Sequence, residues 1–276
     1  MSARRGRLRR ALLVVAALAA VAIAGCAKPT AKPPQAIGLS VYEPCVISTP
    51  LRKVVRAYET AHPQVGMWEE TGKPLALPDK VKAAQERPAV AITLGEVEMK
   101  ALEAAGVVGR GEARAFAVNT YPLAVIVPSK STISIAQVSD LASSKVKRVY
   151  LDDPDHTTLG DRGRAALKKL GLWDKVAPKL VRFDPNANLA AELLAGKADA
   201  AIVYRDCLFA EGSSPPKTVR LVVELPTDSY LPSSYQVAVV KTAPQSEAAR
   251  QFVDFLVSPE GQAALRKAGL TPSTKQ

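Results

Sequence analysis

The stretch RVYLDDPDHTTLGDRGRAALKKLGL (148–172) contains a β-rich run, a turn-rich loop and an amphipathic segment in direct succession. Arg148–Leu151 predicts a strand, and apolar residues recur at helical spacing within Thr158–Leu170. Asp161 near the start of that helix and Gly171 after its end suit the helix dipole and a glycine C-cap. The apolar stripe comprises Leu159, Gly163, Ala166, Leu167 and Leu170. The stretch therefore predicts one strand–loop–helix unit of an α/β protein.

The same alternation continues on both sides of this unit. Thr49 before Pro50 supplies an N-cap and a first-turn proline for the first helix. Further strands are predicted at Ile37–Tyr42, Val65–Glu69, Val90–Leu94, Leu123–Pro128, Leu180–Phe183, Ala200–Tyr204, Val219–Glu224 and Gln236–Lys241. Further helices are predicted at Pro50–Ala61, Asp79–Glu86, Val97–Ala105, Ile135–Ala142, Asn186–Ala195, Glu247–Val257 and Pro259–Ala268. The pattern predicts an α/β fold with mostly parallel sheets, and the number of elements favours two lobes with a cleft between them.

The N-terminus predicts a lipoprotein signal peptide over residues 1–25. MSARRGRLRR carries five arginines and no acidic residue, and the 14 apolar residues after it are too few for a bilayer span of about 20. Cys26 follows Ala24 and Gly25, as the lipid-modified cysteine of a bacterial lipobox does. Residues 26–36 lack apolar periodicity and predict a flexible tether. We therefore expect an exported lipoprotein, anchored through Cys26 on the outer side of the cytoplasmic membrane.

Composition and motifs argue against several classes of function. The chain has 37 basic and 26 acidic residues, and removal of the five signal arginines leaves a net charge of +6. No basic patch is interleaved with aromatic residues, which argues against nucleic-acid binding. No Gly-x-Ser-x-Gly, phosphate-loop or HExxH motif indicates an enzyme. His62 and His156 lack metal-ligand spacing, and Asp152, Asp153 and Asp155 suit a capped turn better than a calcium loop. Neither a metal nor a cofactor is expected.

Cys45 and Cys207 are the cysteines beyond the lipidation site. In an exported protein, an even pair first indicates a disulfide bond. Two other interpretations stay open: partly buried free thiols, and a thiolate pair that binds a soft metal or a metalloid oxyanion. Both residues follow predicted strands, on the side where a cleft between lobes is expected. A disulfide across two lobes would restrict their movement.

Residues Asp153–Gly160, continued by AALKKLGLWDKVAPKLV (165–181), resemble the periplasmic molybdate-binding proteins of ABC transporters. Those proteins carry a GDPEH…AG…A…AL…LG.W stretch at this place. Further blocks agree in order and spacing, and the similarity extends from Ile37 to Leu270. These blocks are ADAAIVYRD (198–206), VVELPTDSY (222–230), YQVAVVK (235–241) and RQFVDFLVSPEGQAALRKAGL (250–270).

The resemblance implies a type II periplasmic binding protein fold, in which crossover strands join two α/β lobes around a ligand cleft. Lobe 1 would comprise residues 37–119 and 238–276, and lobe 2 residues 120–237. The chain would leave lobe 1 near Asn119–Pro122 and return near Tyr235–Ala238.

The resemblance also implies a non-enzymatic, monomeric substrate-binding protein that delivers a small tetrahedral oxyanion to an ABC permease. Molybdate or tungstate is the leading ligand. The alternative is the same fold with a different anion, or with a thiophilic metal or metalloid species held by Cys45 and Cys207.

Helix N-termini are suited to bind such an anion because their first N–H groups lack intrahelical partners. Predicted helix starts near 49–50, 158–159 and 185–186 each follow a strand, as they do in many α/β proteins. By resemblance, Leu159 and Asn186 would each donate a backbone N–H to the anion, and Tyr204 would donate its hydroxyl.

The first-lobe loops depart from the pattern of molybdate-binding proteins. Their Ser after the first strand aligns with Val46 here, within Glu43-Pro44-Cys45-Val46, so that Cys45 and Val46 would offer backbone N–H groups. The second loop, normally rich in Ser, reads Glu70-Thr71-Gly72-Lys73. Thr71 could donate a hydroxyl, Gly72 an N–H, and Lys73 a charge. Ser48 and Thr49 fit helix capping better than ligand binding.

Overall fold

A computed structural model describes residues 37–83, 88–184, 187–207 and 217–273, which belong to one compact unit, Gln35–Gln276. The predicted signal peptide, Cys26 and the tether lie outside the described residues. The strands are β1 Ile37–Glu43, β2 Val65–Thr71, β3 Val90–Thr93, β4 Arg114–Asn119, β5 Leu123–Pro128, β6 Val149–Tyr150, β7 Leu180–Val181, β8 Ala200–Tyr204, β9 Val219–Glu224, β10 Ser233–Val239 and β11 Thr271–Pro272. The helices are α1 Ser48–Ala61, α2 Leu77–Lys82, α3 Glu96–Ala104, α4 Thr158–Lys169, α5 Trp173–Val176, α6 Leu189–Leu194, α7 Ser246–Val257 and α8 Pro259–Ala268.

These strands form a six-stranded sheet in the order β11-β4-β10-β3-β1-β2 and a five-stranded sheet in the order β7-β6-β8-β5-β9. We call the first sheet with α1–α3, α7 and α8 lobe 1, and the second with α4–α6 lobe 2. The chain passes from lobe 1 to lobe 2 between Asn119 and Leu123, and returns between Glu224 and Ser233. The return lies earlier than the predicted 235–238, because Ser233 already pairs with Asn119 in the first sheet.

The prediction of mostly parallel sheets was wrong, because both sheets are mixed. β1 pairs in parallel with β2 and β3, and β6 pairs in parallel with β7 and β8. The outgoing β4 is antiparallel to the returning β10, and β5 is antiparallel to β9, because a chain that crosses to the second lobe must run back. β4 had not been predicted, since Ala115 and Ala117 weaken its β propensity.

Helix α1 buries the stripe that its spacing predicted: Leu51, Val54, Val55 and Tyr58. The Tyr58 ring packs against the rings of Phe252 and Phe255 in α7, with centroids 5.1 and 5.0 Å away. Burial of such a stripe is the main source of stability of an amphipathic helix in a globular protein. No helix within the described ranges combines the length and apolar character needed to cross a bilayer.

The start of α1 differs from its prediction. A 3₁₀ turn over Cys45–Ile47 precedes the helix, which therefore begins at Ser48 rather than Pro50. Ile47 occupies the N-cap position without a side-chain cap, so the predicted Thr49 cap was wrong. Ser48 does not cap the helix either, because its Oγ lies 3.1 Å from Oγ1 of Thr71 on the neighbouring strand.

Helix α4 begins at Thr158, as predicted, because Thr157 caps it. The Thr157 hydroxyl accepts a hydrogen bond from the Gly160 N–H at 3.0 Å and donates one to the Asp153 carbonyl at 2.8 Å. Gly160 lies so close to the carbonyl oxygens of Asp152 and Asp153 that an added Cβ would overlap them. The loop after β6 and the first turn of α4 are therefore packed as one unit.

Replacing Gly160 by Ala is expected to lower the free energy of unfolding by about 1–3 kcal/mol, because the new methyl group meets backbone oxygens that cannot rotate away. Urea denaturation measures the loss. Gly171→Asn is the matched control, since nothing lies within 4 Å of a Cβ there and Asn tolerates its positive φ of 69°. Equal stability of Gly160→Ala and the wild type would contradict the tight packing of this loop.

Candidate ligand-binding site

A cavity of about 890 Å³ lies where the two lobes meet. Residues that follow β1, β2, β6 and β8 line it, as expected for open α/β sheets, which bind ligands at strand ends. Its polar and charged lining side chains include Thr71, Lys73, Glu98, Tyr150, Asp152, Asp153, His156, Thr157, Arg182, Asn188 and Tyr204. Its apolar lining includes Leu75, Leu94, Ile126, Leu151, Leu159, Phe183, Leu189, Val203 and Val219. By exposed area the wall of the hollow is largely apolar, although many of its side chains are polar or charged.

The N-terminus of α4 reaches this cavity. Leu159 lines it, and the Leu159 N–H makes no hydrogen bond to any residue that the structure describes. The preceding N–H, on Thr158, instead donates to Glu98. Leu159, whose N–H the resemblance implied as a donor to the anion, therefore lies on the cavity with that N–H unpaired among the described residues.

Glu98 is a site residue that sequence reasoning missed. It belongs to α3 in lobe 1 and is 1% exposed. The Thr158 N–H donates to its Oε1 at 2.7 Å, and the Thr158 hydroxyl donates to its Oε2. Burial raises the Glu98 pKa to about 7; the Thr158 hydrogen bonds oppose this and nearby Asp152 adds to it. Acidic residues are favoured in any first helical turn, so the sequence carried no sign that this one crosses between lobes.

Tyr204, at the end of β8, also lines the cavity and is 4% exposed. Burial raises its pKa well above the ordinary value, and the adjacent Ser233 opposes that rise. The hydroxyl therefore stays protonated at neutral pH and is able to donate a hydrogen bond.

The second loop of lobe 1 contributes fewer ligand donors than expected. Thr71 and Gly72 line the cavity, but the Gly72 N–H donates to the Glu43 carbonyl at 2.8 Å because the parallel β1–β2 pairing continues to the strand ends. The proposed use of the Gly72 N–H for a ligand was therefore wrong. Lys73 reaches across to lobe 2, where its Nζ donates to the Tyr150 hydroxyl at 3.4 Å.

The first loop of lobe 1 differs further from the expectation. Val46 is buried in the hydrophobic core and is absent from the cavity lining. Cys45 does line the cavity, and a disulfide bond joins it to Cys207, with the two Cα atoms 5.6 Å apart. Since Cys45 follows β1 and Cys207 follows β8, this bond connects the lobes directly. Because the sulfurs of Cys45 and Cys207 are bonded to each other, neither is available as a thiolate for a soft metal or a metalloid oxyanion.

Two further predictions concern the second lobe and metals. Asn186 lies outside the described residues. The helix predicted from there begins only at Leu189, because Asn188 caps it by accepting the Ala191 N–H at 3.0 Å. The described residues contain no cluster of three or more His, Cys, Asp or Glu side chains placed to bind a metal ion.

Behind the first loop, Glu43 is completely buried at the end of β1. Neither of its carboxyl oxygens makes a hydrogen bond of ordinary geometry to a described residue. Burial raises its pKa to about 8, and Glu69 adds to the rise, whereas Ser48 and Arg52 lower it. Glu43 is therefore largely neutral at pH 7.

Comparison with known proteins agrees with this architecture. The chain matches the model of the family described as bacterial extracellular solute-binding protein over residues 39–271. It is 24% identical over 263 residues to YvgL of Bacillus subtilis (strain 168), named as a substrate-binding lipoprotein of an ABC transporter; the match covers 94% of this chain and 97% of YvgL. It is 31% identical over 124 residues to the molybdate-binding protein ModA of Escherichia coli (strain K12), covering 45% of this chain and 46% of ModA.

A solved structure shows the same fold. The periplasmic molybdate-binding protein of Azotobacter vinelandii superposes with a TM-score of 0.58 at 18% identity, over 84% of this chain and 98% of that one. This superposition confirms the predicted type II periplasmic binding protein fold, and the family match over residues 39–271 confirms the predicted non-enzymatic role. The match over residues 39–271 shows that this chain belongs to the bacterial extracellular solute-binding proteins of ABC transporters.

Proposed function

We propose that this solute-binding protein captures a small oxyanion, molybdate or tungstate foremost, in the cavity between its lobes. The observation that carries the proposal is the pairing of an unpartnered Leu159 N–H at the start of α4 with the Tyr204 hydroxyl on the same cavity. Helix N-termini bind anions because their free N–H groups and the helix dipole both favour negative charge. The names of ModA and of the Azotobacter protein support this choice of ligand.

The proposed role is binding without chemistry. An anion that contacts both lobes stabilises the arrangement in which they are closed, and the closed protein is what a membrane permease receives. Thr71 and the backbone at Cys45 would complete the contacts from lobe 1, and Asn186 those from lobe 2. The net charge of +6 without the signal arginines favours the approach of anions.

We extend the proposal to the location of the protein. Residues 1–25 direct export, Cys26 receives the lipid, and residues 26–36 connect the anchor to the lobes. The YvgL name supports this, because that relative is a lipoprotein by name. The protein acts as a monomer on the outer side of the cytoplasmic membrane and meets its permease there.

Tyr204→Phe is expected to weaken molybdate binding about tenfold or more, because a hydrogen bond to a charged group contributes roughly 1.5–3 kcal/mol. Isothermal titration calorimetry at a constant pH measures the change. Tyr121→Phe is the matched control, since Tyr121 is outside the cavity lining. Unchanged affinity in Tyr204→Phe would remove that hydroxyl from the site, and no heat of binding with any oxyanion would overturn the proposed function.

The cavity volume favours a second candidate, an organic anion. A volume of about 890 Å³ with a largely apolar wall exceeds what a five-atom oxyanion fills. The same N-terminus of α4 would then bind a phosphate or carboxylate group, with the remainder of the ligand against Phe183 and Leu189. Titration with molybdate, tungstate, sulfate, phosphate and small organophosphates discriminates the candidates: tightest binding of an organophosphate supports the second.

A further inference from the structure

The anion-binding end of α4 already holds a carboxylate of the protein itself. Glu98 comes from lobe 1, and Thr158 of lobe 2 donates both its N–H and its hydroxyl to it. Glu98 and Leu159 both line the cavity. Since Thr158 and Leu159 are consecutive, an anion bound at the Leu159 N–H lies next to the Glu98 carboxyl group.

The surroundings of Glu98 provide little positive charge. Asp152, after β6, lies close enough to raise its pKa, and no lysine or arginine among the described residues pairs with it. Tyr204 faces Glu98 as a neutral hydroxyl, and Arg162 acts on Tyr204 from α4. The Pro74–Ala76 turn and strands β3 and β10, which also pack against α3, contain no charged residue. An anion beside Glu98 is therefore repelled by Glu98 and Asp152, while the cations Lys73 and Arg182 on the cavity bond to Tyr150 and Asp153 rather than to Glu98.

We propose that Glu98 couples anion capture to the uptake of one proton. The proposal rests on the oxyanion-binding function proposed above. A proton from solvent binds to one carboxyl oxygen of Glu98 when the anion enters, and no other bond is made or broken. The neutral carboxyl group then presents an O–H donor to the anion, while its other oxygen still accepts the Thr158 N–H. The anion thus gains a donor where it would otherwise meet a like charge.

The proposed coupling predicts how the affinity for the anion changes with pH. Because burial holds the Glu98 pKa at about 7, the carboxyl group is mostly neutral at pH 6 and mostly ionised at pH 8. Affinity should therefore be about tenfold higher at pH 6 than at pH 8 if only the neutral form admits the anion.

Isothermal titration calorimetry of the disulfide-bonded chain with molybdate at pH 6 and pH 8 tests the coupling. Molybdate is a dianion throughout this range, so a proton taken up on binding goes to the protein. Titrations at pH 8 in buffers of different ionisation enthalpy measure that proton directly and do not depend on the folding of any variant. We expect an uptake approaching one proton per anion. Glu98→Gln should abolish both the uptake and the tenfold difference.

Two variants separate Glu98 from its neighbours. Glu96→Gln changes an exposed carboxylate in the same helical turn and should keep the pH dependence. His156→Gln replaces an imidazole on the cavity whose Nδ1 lies 3.1 Å from Oδ2 of Asp153, and should keep the pH dependence too. Loss of the pH dependence in His156→Gln, or equal affinity at the two pH values in the wild type, overturns the coupling alone. No binding at either pH overturns the proposed function and the coupling with it.

Discussion

Replacing Cys45 and Cys207 together by serine is expected to lower the free energy of unfolding by about 2–5 kcal/mol. The bond closes a loop of 162 residues, and a crosslink that closes a long loop removes much of the conformational entropy of the unfolded chain. The other connections between the lobes are the two chain crossings and noncovalent contacts such as that of Glu98 with Thr158. Urea denaturation of the oxidised wild type and of the double variant measures the loss.

Reduction provides the control for this prediction. A reducing agent should bring the wild type to the stability of the double variant and should leave the double variant unchanged. The double variant is preferred to either single one, because a single replacement leaves a reactive thiol free to form intermolecular bonds. Equal free energies of unfolding for the oxidised wild type and the double variant would contradict the prediction, because the disulfide would then not constrain the unfolded chain.

The same bond limits how far the lobes separate beside the cavity. It joins residues that follow β1 in lobe 1 and β8 in lobe 2, with Cα atoms 5.6 Å apart. If the lobes open, they must rotate about the disulfide, because the Cys45 and Cys207 ends of the lobes cannot move apart.

Raising the pH from 5 to 8 is expected to destabilise the protein, and Glu43→Gln should remove most of that loss. Burial raises the Glu43 pKa from 4.5 to about 8, so between these values the folded state holds a proton that the unfolded state releases. The stabilising contribution is therefore complete below pH 4.5 and is lost as the pH rises toward 8. Glu98, with a pKa of about 7, acts in the same direction.

Glu43→Gln should be about 2–4 kcal/mol more stable than the wild type at pH 8 and close to it at pH 5, because the amide has the same shape and no ionisation cost. Urea denaturation at pH 5, 6, 7 and 8 measures both. Glu96→Gln, which alters an exposed carboxylate, is the control and should follow the wild-type curve. A wild-type stability that stays level from pH 5 to 8, or an unchanged slope in Glu43→Gln, would refute this account.

Local patterns predicted the elements with strong intrinsic preferences. The bounds of β5, β8, β9 and α8 coincide with the predicted ones, because β-branched runs and a Ser-Pro helix start are unambiguous signals. Prediction was weaker where neighbours decide the conformation. The alanines of β4 hid a strand that exists only because β10 and β11 pair with it. The helix starts at Pro50 and Asn186 were misplaced because turn hydrogen bonds begin the first helix earlier and an Asn188 cap begins the other later.

The candidate site shows the same division. The start of α4 was predicted from helical spacing and from Asp161 near the first turn, and the role of the Leu159 N–H from the resemblance to molybdate-binding proteins. Three features could not be predicted from the sequence. They are the hydrogen bond from the Gly72 N–H to the Glu43 carbonyl, the burial of Val46, and the hydrogen bond from the Thr158 N–H to Glu98. Each depends on a contact between segments that are distant in the sequence.

The sequence by itself determined the two-lobed α/β class and the start of α4, because these depend on periodicity and local helix signals, and its motifs indicated the family by resemblance. Only the tertiary structure decided which groups share the cavity, that Cys45 and Cys207 join the lobes, and that Glu98 and Glu43 are buried. The physical reason is that burial and pairing belong to the packing of whole lobes. An acidic residue has the same local preference on any helix, and its pKa is set by the surfaces that close over it.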